Sequence, residues 1–237
     1  MIDTSATLAA TAQTTPATRA LLTCGVVAGP LFVVVALLQA FTRDGFDLKR
    51  HPFSMLSLGD LGWIQIANFV IVGLLFTAYA VGMRRVLHPG RGGTWGPLLI
   101  GAFGVSQIFG GIFLADPGLG FPPGAPEGQP ASVSVTGIVH GLAFAVGMSS
   151  LIAAFFVLAR RFAVAGDRGW ARYSVASGII FVLLSGIGVP GGDFRIVTVA
   201  IVIGWTWVSL TAARLSAGEA GPERRRRQPS DRGRPPQ

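Results

Sequence analysis

The chain is predicted to be all-α, a polytopic membrane protein of six transmembrane helices with both termini in the cytoplasm. Three observations predict it. Hydrophobic residues make up 51% of the 237 residues and charged ones only 13%, with a mean hydropathy of +0.58, more apolar than a soluble domain of this length needs. The chain holds apolar runs of about 18 to 22 residues, each able to cross a hydrocarbon core of about 30 Å at 1.5 Å per helical residue. Finally, Lys and Arg are sorted onto alternate sides of those runs, as membrane insertion favours.

The first run, 20–41, follows a Ser/Thr/Ala-rich segment whose only cation is Arg19. It therefore lacks the charged opening of a cleavable signal peptide and reads as a retained helix. Pro30 is expected to bend it, by removing a backbone donor and crowding the preceding turn. Cys24 is the only cysteine, which excludes an intramolecular disulfide framework and a thiol cluster for zinc. The second run, 62–83, has Asp60 placed to cap it, and Gln65 and Asn68 spaced to face a neighbouring helix. The third run, 95–113, carries Gly101 and Gly104; the fourth, 136–158, carries Gly137 and Gly141; the fifth, 170–189, carries Gly178, Gly186 and Gly188. Such small residues let helices approach closely, and Gly137-x-x-x-Gly141 is expected to pack neighbours within the chain. The sixth run is 196–213. β-branched residues are common, but unbroken apolar stretches lack the alternation of a lipid-facing barrel, which leaves helix.

The N-terminal tail, the second and fourth loops and the C-terminal tail hold fifteen of the nineteen Lys and Arg residues; the opposite side holds Arg43, Lys49, Arg50 and Arg195. That asymmetry places both ends inside. The six-helix domain spans 20–214, flanked by tails 1–19 and 215–237 that are too polar to build a core and are expected to be disordered. Beside a lipid bilayer, Arg224, Arg225, Arg226 and Arg227 are candidates to hold anionic headgroups, at about 1 kcal/mol per charge. Nucleic-acid binding is a poor account of the +8 charge, because the basic residues flank spans and no recognition fold accompanies them.

Polar chemistry collects on the outer side. The first loop, 43–60, contains His51, Ser54 and Asp60, with Phe53, Leu56 and Leu58 suggesting a short interfacial helix started near Pro52. Asp116 at the end of the third span, His140 about one turn inside the fourth and Asp193 before the sixth reach the same side. An ionisable group at membrane depth is costly unless paired or hydrated, so His140 is a functional candidate, weighed against a neutral interhelical hydrogen-bonding role. The candidate ligand-binding residues are His51, Ser54, Asp60, Asp116 and His140. Metal candidates are His51, Asp116 and His140, and catalytic candidates are His140, Ser54 and Asp60. The third outer loop, 116–132, is rich in Gly and Pro without Lys or Arg and reads as an exposed excursion suited to contact.

The segments Gly25-Val26-Val27-Ala28-Gly29-Pro30, His51-Pro52-Phe53-Ser54-Met55-Leu56-Ser57-Leu58-Gly59, Gly62-Trp63-Ile64-Gln65-Ile66-Ala67-Asn68-Phe69, Asp116-Pro117 and His140-Gly141 resemble domain-of-unknown-function family 998, a group of bacterial integral membrane proteins. The resemblance covers about 21–215. It implies a six-span fold in a bacterial plasma membrane and directs attention to the His-Pro-x-Ser loop, Asp116 and His140, without implying an activity or cofactor. A weaker analogy links the Ser, Asp and His residues to membrane hydrolases of the alkaline ceramidase type. The chain departs from those in its histidines: of its three, His88 belongs on the cytoplasmic side.

Three functions fit these residues. One is a non-enzymatic protein binding a lipid, small ligand or protein partner through an outer-facing polar pocket. The second is a metal-assisted hydrolase at the outer leaflet, with His140 or His51 as base, Ser54 as nucleophile and Asp116 or Asp60 as orienter or metal ligand. The third is transport of a small solute or protons, with Gln65, Asn68 and Gln107 lining a polar route.

Overall fold

A computed structural model describes residues 15–218 except Arg91 and Ala131. Arg224, Arg225, Arg226 and Arg227 lie outside the described residues, as does most of each tail. Six helices long and apolar enough to cross a membrane follow one another: α1 (Pro16–Thr42), α2 (Gly62–Leu87), α3 (Trp95–Ile112), α4 (Val135–Val164), α5 (Arg168–Gly191) and α6 (Phe194–Gly218). A short 3-10 helix, Phe53–Ser57, interrupts the first loop. The helices overrun the apolar runs at their charged ends, because backbone hydrogen bonding continues past the hydrocarbon. α1 takes in Pro16 to Arg19, opened by Thr15, whose hydroxyl accepts from the Thr18 amide at 3.2 Å. It also continues through Pro30 without a break.

Each helix packs on the next, and α6 closes back onto α1, so the bundle is a ring. The start of α1 and the end of α6 share one face, the terminal face. The first, third and fifth loops share the other, the lid face. Close approaches set the ring's geometry where glycine permits them. A Cβ at Gly29 would lie 2.6 Å from the Trp205 carbonyl oxygen, pressing α1 on α6, and one at Gly178 would lie 2.9 Å from Phe155 Cβ, pressing α5 on α4. Gly137 and Gly141 do not serve helix packing as expected. Gly137 faces the Asp116 carboxylate, and a Cβ at Gly141 would meet nothing within 4 Å. The spacing fixes only which residues share a face, and this face has no helix opposite it.

At mid-membrane the ring is filled by aromatic side chains. Phe103 lies between Phe76 and Trp205, with ring centroids 5.0 and 4.9 Å away. Phe155 packs on Trp207 at 4.3 Å. Gln39, Gln65 and Asn68 join α1 to α2: Gln39 Nε2 donates to Gln65 Oε1 at 2.8 Å, and Asn68 Nδ2 donates to the Phe32 carbonyl at 3.2 Å.

The lid face is closed by the first and third loops acting together. The 3-10 helix starts after Pro52, where the sequence places it, but Phe53, Met55, Leu56 and Ser57 are buried, so it plugs the ring instead of lying at the interface. The third loop is exposed over Pro123, Gly124 and Pro126 to Gln129, as expected of an excursion, but it is anchored at Phe121. Gly120 and Gly124 adopt positive φ, which glycine does without steric cost, and the chain between them turns Phe121 inward to 0% exposure against Met55 and Leu58. Arg43 locks this cap, donating to the carbonyls of Leu56 at 2.5 Å and Leu58 at 2.6 Å with its guanidinium 5.1 Å from the Phe121 ring centroid. Partial burial lowers the Arg43 pKa from its ordinary value, with the Asp60 charge acting in the opposite direction.

Candidate functional site

A cavity of about 270 Å³ occupies the lid-side half of the ring. Every helix contributes to it: Phe32 from α1, Phe69 from α2, Gln107 from α3, His140 and Phe144 from α4, Val189 from α5, and Thr198 and Trp205 from α6. Pro52, Phe53 and Ser54 form its roof, and no Asp, Glu, Lys or Arg lines it. The wall is thus mainly apolar, with Ser54, Gln107, His140 and Thr198 as its polar points. The expected pocket was polar; the burial of the 3-10 helix instead presents Phe53 to the bundle.

His140 sits in the second turn of α4, where its Nδ1 lies 2.8 Å from the Phe113 carbonyl oxygen at the end of α3. A carbonyl only accepts, so Nδ1 is the donor, which in the neutral imidazole leaves Nε2 as an acceptor. Gln107 is 6% exposed and its Nε2 has no hydrogen-bond partner; Trp205 Nε1 is also buried without one. An unpaired amide or indole N–H in an apolar setting costs about 1–3 kcal/mol. Both residues line the cavity, but these two nitrogens are themselves buried behind its surface, so the polar atom best placed toward the space is the His140 imidazole.

The other sequence candidates stand elsewhere. His51, 2% exposed, belongs to the lid. Its Nδ1 accepts the Asp47 amide at 2.9 Å and its Nε2 lies 2.9 Å from the Leu119 carbonyl oxygen. Both nitrogens are therefore committed to backbone, in the tautomer with the proton on Nε2. Asp60 is exposed and caps nothing: the residue preceding α2 is Leu61, with no side-chain cap bond. Gly62 there is held against the Ser57 backbone, a turn that leaves the Asp60 side chain outside. Asp116 lines a separate shallow depression with Met55 and Gly137, and its Oδ2 accepts the Ser134 amide at 3.0 Å. Asp193 pairs with Arg195 at 2.6 Å, and that arginine holds its carboxyl below the ordinary carboxylate range. No group of three or more His, Cys, Asp or Glu side chains gathers among the described residues, so His51, Asp116 and His140 do not form the metal centre considered from sequence. Each is instead bound to a different backbone group of the α3–α4 connection: the Leu119 carbonyl, the Ser134 amide and the Phe113 carbonyl.

Asp116 stands at the α4 N-terminus, where a carboxylate is favoured by the helix dipole. Asp116→Ala is expected to cost about 1 kcal/mol of stability, read as a lower melting temperature that Asp116→Asn partly restores. A large loss of ligand response with unchanged melting would instead place Asp116 in the binding site.

Two cavity residues carried no strong sequence signal. Gln107 was visible only as a lone amide in an apolar run, and Thr198 as one of several hydroxyls in α6. A family model described as "Protein of unknown function (DUF998)" matches residues 26–214. No curated protein and no solved structure matches the chain.

Proposed function

The chain belongs to the DUF998 family, whose name assigns no activity, and we propose that this member binds a small neutral amphipath in the cavity beneath its lid. The observation that carries the reading is an apolar cavity with no charged residue in its lining and a few polar residues, Ser54, Gln107, His140 and Thr198, set into it, Gln107 with a buried amide nitrogen that has no partner. A ligand hydroxyl would donate to His140 Nε2, and its oxygen would accept from Gln107 once that side chain turns its amide toward the cavity. The uncharged wall disfavours an ionic head, which would be desolvated without a counter-charge. A volume near the low end of small-molecule pockets suits a short single chain better than a whole phospholipid.

Access is supported at the lid-side seam between α4 and α5. Gly141 and Phe144 on α4 and Val189 on α5 line the cavity and are exposed, and a Cβ at Gly141 or Gly186 would meet nothing. A molecule in the adjoining leaflet would enter there. The distribution of Lys and Arg supports reading that leaflet as the outer one, with both termini cytoplasmic, and the resemblance to a bacterial family supports a plasma membrane.

The test is thermal unfolding in nanodiscs with 1-decanol or decanoate as the probe. The alcohol is expected to raise the melting temperature and the anion to leave it unchanged. Gln107→Leu should remove the gain while melting no lower on its own, since it deletes an unmet donor. No response of the wild type to the alcohol, together with a lower-melting Gln107→Leu, would sink the reading. Gly141→Trp fills open space and should slow uptake without unfolding the bundle.

One observation favours hydrolysis as a second reading: Ser54 and His140 face the same cavity, the latter with Nε2 uncommitted. No hydrogen bond joins them. Cleavage of a decanoyl ester by the wild type and not by Ser54→Ala would move the reading from binding to catalysis. Transport is disfavoured by the aromatic floor of Phe76, Phe103 and Trp205 across the ring.

A further inference from the structure

Away from this cavity, a groove of about 560 Å³ runs along the lipid-facing side of the α4–α5 seam near the terminal face. Its floor is made shallow-walled by small residues, with Ala159 and Ala171 buried between the helices and Phe156 and Ile179 standing as exposed walls. Two arginines, Arg160 and Arg172, line it. Both are exposed, and among the described residues neither forms a hydrogen bond or ion pair. The carboxylate nearest in sequence, Asp167, is already taken: it caps α5 through the Trp170 amide at 3.4 Å and pairs with Arg214 at 3.1 Å.

The arginines and the apolar walls are stacked along the membrane normal. Arg160 lies near the α4 C-terminus and Phe156 one turn deeper, about 6 Å; Arg172 lies near the α5 N-terminus and Ile179 about 10 Å deeper. Two cations at headgroup level above an apolar trench at chain level match an anionic headgroup carried on an acyl chain. A free phosphate would use only the upper half of this arrangement, and a zwitterionic lipid would leave the net positive charge uncompensated.

We infer that the groove is a binding site for one anionic phospholipid from the leaflet at the terminal face, its phosphate between Arg160 and Arg172 and its chain along the α4–α5 seam. This site is independent of the cavity and of the Arg224 to Arg227 run.

Native mass spectrometry of the full-length protein released from mixed phosphatidylglycerol and phosphatidylcholine micelles tests it. The wild type is expected to retain one phosphatidylglycerol with a preference of about thirtyfold, the scale for two arginines at a membrane surface. R160Q/R172Q should bring that preference close to parity, with an unchanged melting temperature in phosphatidylcholine, because neither side chain holds another residue. Ala176→Trp, which fills the trench, should reduce retention of both lipids. A variant with glutamine at positions 224 to 227 should keep the preference. Three results would overturn the proposal: equal retention of both lipids by the wild type, a preference that survives R160Q/R172Q, or displacement of the lipid by inorganic phosphate at constant ionic strength, which would mark an anion site without a chain.

Discussion

Gly104→Leu is expected to leave little folded protein, the largest stability effect of any single substitution in the bundle. The helices α2 and α3 touch there through their backbones. A Cβ at Gly104 would lie 2.8 Å from the Gly73 carbonyl oxygen and 2.8 Å from the Thr77 amide nitrogen, and one at Gly73 would lie 2.6 Å from the Gly104 carbonyl oxygen. Backbone cannot step aside as the end of a flexible side chain can. The helices must therefore separate, and the Phe76–Phe103 contact and the Gln107 wall of the cavity move with them. Within a membrane, helix association depends on such packing because lipid tails are as apolar as the helix surface. Overpacking one methylene costs about 1–3 kcal/mol; a whole isobutyl group against two backbone groups of α2 should exceed that and approach the total stability of about 5–15 kcal/mol. Gly101→Ala and Gly186→Ala are the controls, since an added Cβ meets only Ala80 Cβ at 3.5 Å in the first case and open space in the second. Size-exclusion profiles and melting in detergent decide the matter. A Gly104→Leu protein that elutes and melts like the wild type would show that α2 and α3 have slack the close approach denies.

The six spans were legible because crossing a membrane makes demands on composition and length that show in any window of the chain. Their ends were less so: Arg84 and Arg85 in α2, and Arg161 in α4, continue the helix beyond the apolar stretch, since a helix needs backbone partners and not hydrocarbon. Gln65 and Asn68 were rightly expected to face another helix, but their partners, Gln39 and the Phe32 carbonyl, depend on a register between helices that spacing along one helix does not encode. The candidate site divides for the same reason. Ser54 and His140 reach one cavity, whereas His51 and Asp116 are bound to the Leu119 carbonyl and the Ser134 amide. Backbone groups are present at every residue, so nothing in the sequence marks which of them will claim a polar side chain. Gln107 is the converse case. Its cost in an apolar run was visible, and its want of a partner was not.

His51→Ala is expected to cost about 3–4 kcal/mol and to open the lid. Two part-buried hydrogen bonds are lost, about 1 kcal/mol each and more where the Leu119 carbonyl is left without a partner, along with the imidazole packed 5.2 Å from Phe46 and 5.4 Å from Phe121. The Leu119 carbonyl matters most. Leu119 holds φ +57, a region that costs a branched residue about 1 kcal/mol or more, and the His51 Nε2–H is what fastens its carbonyl to the first loop, 68 residues earlier in the chain. The exposed Arg50–Glu127 pair joins the same two loops at 3.0 Å, but such surface pairs contribute at most about 1 kcal/mol and cannot replace it. His51→Phe separates packing from hydrogen bonding: it keeps an aromatic body between Phe46 and Phe121 and should recover only part of the loss. Hydrogen exchange over 116–130 should rise sharply in His51→Ala while the mid-membrane amides of α2 and α3 stay protected. Because Pro52, Phe53 and Ser54 follow directly and roof the cavity, the stabilisation by 1-decanol should weaken as well. Unchanged exchange in the third loop would mean that Arg43 and Phe121 hold the lid without the histidine, and His51 would regain standing as a candidate for binding instead of closure.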